Sequence, residues 1–308
     1  MTEPTTPGAK TRATRRRERI TQPLAALSLP QQRALLALAR YRYLTVGQMV
    51  DAGIAKAPSH IRSDVLAPLC KRQVDNLVQA HEFPRFSTTG RIPRVYSLTK
   101  LGAEVVAEIE RRDVSEILYP VGGVQFSKDF EHRSAYIDAC IAFDAWIAAD
   151  DRRECMEMRH EFDKTGSNRG SGAHRMRSVC RVDLPSHHYI IPDGLLFFDT
   201  GTKQRAVALE IHNFPDTKRV ARQLLGHHEA LETDAYPKAF GIETAGRVLS
   251  ISSSAALAKR VMDRLMETPG FPESRSFQLI AFNCLENVKQ DFGNGWVLAD
   301  KSPARIFE

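Results

Sequence analysis

Two acidic residues in the C-terminal half stand where chemistry could be done. Asp193 lies in Ile190-Ile191-Pro192-Asp193-Gly194, at the start of an apolar run, and Glu210 lies in Leu209-Glu210-Ile211-His212, near the end of the next. Both runs read as strands, and a turn centred between Gly201 and Thr202 makes Asp193 and Glu210 cross-strand neighbours. Two carboxylates facing each other at the end of a hydrophobic hairpin repel, and burying them is costly unless a divalent cation or a strong donor neutralises them. A hard cation, Mg²⁺ or Mn²⁺, is the economical solution. Side chains alternate along a strand, so His212 points to the same face as Glu210 and can join the site. The plainer reading of the same residues is an Asp that caps a turn, a Glu paired with Arg or Lys, and a half-buried imidazole held by a hydrogen bond.

The elements that must position these residues are legible in the hydrophobic pattern. A long helix is expected from Phe130 to Ala149, with Tyr136, Ile137, Cys140, Ile141 and Phe143 on its apolar side. Strands follow around Cys155 to Phe162, Tyr189 to Phe198 and Ala206 to Ile211, and the Gly/Ser/Arg-rich insert from Lys164 to Arg177 should be a mobile loop. A helix from about Thr217 to Leu231, short strands at Ala239–Ile242 and Val248–Ile251, a helix over Ala255–Met266 and a strand over Phe277–Phe282 complete this half. The natural architecture is a central mixed sheet with helices on its faces.

The N-terminal half reads differently. Met1 to about Gln22 is a basic arm without apolar periodicity, expected to be disordered. From Pro30, Leu35, Leu36, Leu38 and Tyr43 mark a helix, and Thr45 with Gln48 three positions on reads as a capping box opening a second. Pro68 is expected to open a third helix, with Leu69, Val74, Leu77 and Val78 inward and Lys71, Arg72, Gln73 and Asn76 outward, available to a DNA groove. Two strands around Thr88-Thr89-Gly90 then carry Arg85, Arg91 and Arg94. Three helices followed by a basic hairpin is the winged-helix order, and such a hairpin has the charge to cross a minor groove or phosphate backbone.

Composition bounds the rest. The 308 residues, 43% of them hydrophobic, can build two packed domains, and a net charge of +6 favours a polyanionic partner. No apolar run approaches the roughly 20 residues of a membrane span, and the start of the chain lacks the apolar stretch of a secretory signal, so a cytoplasmic protein is expected. Cys70, Cys140, Cys155, Cys180 and Cys284 have no paired spacing, which points to reduced thiols rather than disulfides or a zinc ribbon. The pairs His187-His188 and His227-His228 do not suit a relaxase of the two-histidine type, because adjacent histidines point to opposite faces of a strand; they read as surface or loop residues. No GxxxxGK[ST] segment supports ATP-driven remodelling.

The Pro192-Asp193…Glu210-Ile211-His212 pattern on a strand hairpin resembles the PD-(D/E)xK nuclease signature, and the preceding helix bears Glu131. With the N-terminal winged helix, the order over roughly residues 30 to 260 resembles the replication-relaxation family of plasmid proteins, related in fold to MobC-type mobilisation relaxases. The resemblance implies Asp193 and Glu210 as metal ligands, Glu131 as an outer ligand, and a basic group polarising the phosphate or water. His212 stands where the pattern has lysine, and Lys218, one turn into the following helix, is the residue that could replace it, with Arg222 a turn further on and Arg219 less well aimed. The expected fold class is therefore α/β (α+β), with a basic arm over 1–24, a winged helix-turn-helix over 25–113 and a restriction-endonuclease-like mixed sheet flanked by helices over 124–308. The expected function is metal-dependent nicking or relaxation of plasmid or mobile-element duplex DNA at an origin or transfer region, by a chain with room to act as a homodimer. The alternative is a non-catalytic replication initiator or regulator with a degenerate nuclease-like domain, which His212 in place of lysine favours.

Overall fold

Ser28 precedes the helix Leu29–Tyr41 in this structure, a computed structural model that describes residues 24–71, 76–83, 90–120, 130–166, 171–172, 175–241, 246–304 and 307 and the backbone of 86–87. The chain divides into two units, Met1–Ser127 and Lys128–Glu308.

In the first unit the Ser28 N–H donates to the Gln31 side chain at 3.1 Å, starting α1 (Leu29–Tyr41), which buries Ala34, Leu35, Leu38 and Tyr41. β1 (Leu44–Thr45) leads into α2 (Val46–Asp51) through the capping box read from the sequence: Gln48 N–H donates to Thr45 Oγ1 at 3.2 Å and Thr45 N–H to Gln48 Oε1 at 2.9 Å.

The third helix corrects the sequence expectation. It does not open at Pro68 but runs as three continuous stretches, Pro58–His60, Ile61–Leu66 and Ala67–Cys70, here together α3. Pro58 takes the first turn, where a missing N–H costs nothing, and Ile61, Val65, Leu66 and Leu69 form the buried stripe. Pro68 is tolerated near the end because the central stretch is π-helical, with Ala67 N–H bonded back to Arg62, and because the Gln31 amide donates to the Asp64 carbonyl at 2.9 Å, supplying a donor that Pro68 lacks. Leu77 and Val78 consequently leave the helix.

Val78 instead begins β2 (Val78–His81), which pairs antiparallel with β5 (Val95–Leu98) in a sheet of order β1-β5-β2; β3 (Phe86–Ser87) and β4 (Gly90–Arg91) continue the hairpin. α4 (Lys100–Glu110) closes the unit, capped by Thr99. The expected arm, Arg72, Gln73, Val74, Arg85 and the Thr88-Thr89 tip lie outside the described residues.

The second unit has α5 (Phe130–Ala148), β6 (Glu154–His160), β7 (Lys164–Thr165), β8 (Arg177–Ser178), β9 (Val182–Asp183), β10 (Tyr189–Ile190), β11 (Gly194–Asp199), β12 (Gln204–His212), α6 (Thr217–Glu232), α7 (Ala235–Phe240), β13 (Arg247–Ser252), α8 (Ala255–Met266), β14 (Ile280–Cys284) and α9 (Leu285–Gln290). The central sheet has order β14-β13-β12-β11-β6; β11 pairs antiparallel with both β6 and β12, while β12, β13 and β14 run parallel. It is a mixed α/β sheet, as expected. One face buries Leu195, Phe197, Ala206 and Ala208 against Val220 and Leu224 of α6 and Leu257 and Val261 of α8. On the other, Phe143 of α5 meets Phe198 edge-on at 5.3 Å, and Tyr136 lies so close to Gly194 that a Cβ there would stand 2.1 Å from its hydroxyl.

Three strand expectations are corrected. The run Tyr189 to Phe198 is broken into β10 and β11, since Pro192 has no N–H to give a ladder. Ala239 and Phe240 end a helix rather than form a strand, α7 being closed by Gly241 at φ 66°. The strand expected over Phe277–Phe282 starts only at Ile280, after a 3-10 turn over Arg275–Leu279. The insert begins and ends in a β7–β8 pair joining Thr165 to Arg177. All five cysteines are free, with Cys140, Cys180 and Cys284 buried. Among the described residues no helix is long and apolar enough to cross a membrane.

Candidate functional site

The β11–β12 hairpin pairs Gly194 with Leu209 and Asp199 with Gln204, the register a turn centred between Gly201 and Thr202 requires. Asp193 and Glu210 are therefore brought together at the end of the hairpin, both buried, 7% and 3% exposed. Protein donors surround them. His132, in the first turn of α5, reaches Asp193 Oδ1 at 2.7 Å, and the Ile211 N–H donates to Asp193 Oδ2 at 2.7 Å, a bond that takes the place of a ladder bond. On the Glu210 side, His227 of α6 holds Oε1 through Nε2 at 2.7 Å, and its Nδ1 lies 2.6 Å from the Tyr236 hydroxyl.

The electrostatics assign the protons. Burial opposes charge on His132, yet the charge and hydrogen bond of Asp193, with Glu161 beyond, raise it to about 9, so Nε2–H donates as an imidazolium. Burial, then the charge of Asp193, push Glu210 well above the usual carboxyl range, while burial lowers His227 to about 4. With both groups neutral, the Glu210 hydroxyl donates to His227 Nε2, and Nδ1–H donates to the Tyr236 oxygen. Glu161, which follows β6 and gives its N–H to the Asp193 carbonyl at 2.9 Å, is raised by burial and by the Asp193 charge.

The remaining sequence-derived residues distribute unevenly. His212 shares the site's sheet face and is 4% exposed; burial lowers it to about 4 against the opposing charge of Asp193, and the cations of His132 and Arg219 reinforce the shift. Its Nε2, with the hydroxyls of Ser250 and Ser252, is buried without a hydrogen-bond partner among the described residues, and the parallel register sets Glu210 beside Ser250 and His212 beside Ser252. Glu131 is exposed, and the residue of that turn that reaches Asp193 is His132. Lys218 and Arg222 are exposed on α6, and of its basic residues Arg219 is the one whose charge acts on His212, against the expected order. His187 and His188 are exposed, as expected; His227 is not a surface residue but is 1% exposed at the centre of the site.

Sequence reasoning gave His132 and His227 no role of their own in the site, and a signal for both was present. His227 falls on the α6 stripe of Val220, Leu224 and Leu231, and His132 stands one turn before Tyr136 on the buried side of α5.

A magnesium-like ion takes oxygen ligands in a near-octahedral shell. Asp193 has both oxygens engaged by protein donors, Glu210 has one held by a histidine, and Glu131 is exposed. Among the described residues no group of three or more His, Cys, Asp or Glu side chains is disposed to hold a metal ion. The donor set, as arranged, does not fit a hard cation.

In the first unit, a groove of about 770 Å³ lies between α3 and the hairpin, lined by Arg62, Lys71, Arg91 and Arg94 with Glu82 as its one carboxylate among the described residues. Glu82 bridges Arg91 at 3.8 Å and Arg94 more closely. Arg62 went unread because the helix that carries it begins ten residues earlier than Pro68, at Pro58.

No protein-family model, curated protein or solved structure matches the chain.

Proposed function

We propose that this chain is a duplex-DNA-binding protein of plasmid or mobile-element replication or mobilisation, in which a winged helix-turn-helix reads DNA and a PD-(D/E)xK-type sheet serves as a non-catalytic scaffold. The observation that carries the binding half is the groove between α3 and the hairpin, where, among the described residues, four cations face one carboxylate. Cations so placed gain by releasing counterions from phosphates, while α3 offers its exposed side chains to base edges. The scaffold half is supported by the acidic centre itself: the strong donors that two opposed carboxylates need come from His132, Ile211 and His227.

Metal-dependent nicking is the second reading, favoured by the meeting of Asp193 and Glu210 across the hairpin. The two separate on one preparation. Duplexes from the plasmid's own origin and transfer regions should bind the chain, and Lys71→Glu with Arg91→Glu should weaken binding at least tenfold and flatten its dependence on log salt by about 2. Equal binding by that variant removes the groove from the interface. Incubation of supercoiled plasmid with Mg²⁺ or Mn²⁺ should leave it intact; nicking that disappears in both Asp193→Ala and Glu210→Ala would establish the enzyme instead.

A further inference from the structure

A second concave site lies in the C-terminal unit and shares no residue with the acidic centre. It encloses about 550 Å³, and Arg159, Arg177, Arg181 and Lys238 line it, with Asp183 as the lining carboxylate. The cations come from separate places in the fold: β6, β8, the turn before β9, and α7. Like charges converging on one cleft repel, and a cleft lined by one sign concentrates the opposite sign within it.

Two of these guanidiniums are fixed before any ligand arrives. Arg159 is held by Glu157 at 2.7 and 2.8 Å and lies over Phe197 at 4.8 Å and Phe240 at 5.3 Å. Arg181 bonds Asp183 at 2.7 Å and covers the Tyr189 ring at 4.0 Å. Stacked guanidiniums lose little freedom on binding and still offer several N–H donors in a plane. Arg177 and Lys238 are exposed, and neither has a carboxylate partner among the described residues; Lys238 donates only to the Thr233 carbonyl at 2.9 Å. The pocket thus pairs two anchored forks with two uncommitted cations, beside the half-buried Phe240 ring.

We infer that this pocket binds phosphate groups, carried by a single strand of nucleic acid. Planar Arg donors and an ammonium without a carboxylate partner among the described residues match phosphate oxygens, and a concavity of this size admits a strand's backbone rather than the side of a duplex. That the phosphate belongs to nucleic acid rests on the DNA-binding reading; the phosphate chemistry does not.

The test uses the full chain, a labelled short single-stranded oligonucleotide without terminal phosphates, and inorganic phosphate. Arg177→Glu with Lys238→Glu alters two exposed side chains, so its thermal melt should match the wild type. Strand affinity should fall at least tenfold, and the salt dependence should be shallower by about 1.4, two cations' worth. Lys71→Glu with Arg91→Glu should leave strand binding intact, so failure of the duplex reading would show as no duplex binding by the wild type, or duplex binding unchanged in that variant, with the pocket still active. Loss of inorganic phosphate binding alone would keep the phosphate site and remove the nucleic-acid source. Unchanged binding of both probes by the Arg177→Glu, Lys238→Glu variant, or no binding of either by the wild type, overturns the inference.

Discussion

His227→Ala is expected to destabilise the second unit by on the order of 3–5 kcal/mol, whereas Glu210→Gln should stay within about 1 kcal/mol of the wild type. The asymmetry follows from where the proton sits. His227 is buried and links Glu210 to Tyr236 through both ring nitrogens, so its removal leaves a cavity and two polar groups without their partner. Glu210 is neutral in the fold, and a glutamine amide has the same shape and can donate to the same Nε2. Urea unfolding of the two variants, with the second unit's transition followed separately, measures both values. A Glu210→Gln loss as large as that of His227→Ala would mean that the negative charge of Glu210 is needed, as in an ion pair or a metal site.

Stability should also fall as pH rises from 6.5 to 9. His132 is raised to about 9 by its place beside Asp193, so in that interval the folded chain holds a proton that the unfolded chain has released. Its contribution is complete below the unfolded value of 6.5 and is lost through about 9, on the order of 3 kcal/mol. Glu210, raised by burial and by the Asp193 charge, acts in the same sense. Below 6.5 the direction reverses for His212 and His227: both are lowered to about 4, the unfolded chain binds protons that the fold refuses, and stability declines as pH falls, offset in part by Glu210. Stability curves at pH 6.5 and 9 check the alkaline limb, and His132→Gln should flatten it. Equal stability of the wild type at both pH values would exclude a charged His132.

Much of this centre was legible because strand chemistry is periodic. The alternation of β11 and β12 and the turn residues at Gly201-Thr202 fix which side chains oppose one another, so the meeting of Asp193 and Glu210 needed no coordinates. What neutralises them was not legible, because His132 and His227 arrive from helices 61 and 17 residues away in sequence from the groups they contact, and adjacency to Glu131 and His228 masked them. In the first unit the capping box at Thr45 was readable as a local pattern. The third helix was misplaced because Pro68 looks like a helix start, and only the π-helical turn and the Gln31 contact, neither of them a local signal, allow it near a helix end. Phe240 was read as strand from its apolar neighbours, although Asp234 and Gly241, both at positive φ, bracket a short helix.

Opposed carboxylates can be quieted by a bound cation or by a proton held on a neighbouring base, and these alternatives differ at one ring. NMR titration of the histidine imidazoles, with and without millimolar Mg²⁺, reads that ring directly. One imidazole should titrate near 9, move toward 6.5 in Asp193→Asn and ignore Mg²⁺. An imidazole set that titrates entirely below 7, or a His132 proton that Mg²⁺ expels, would show that a metal rather than histidine occupies the centre.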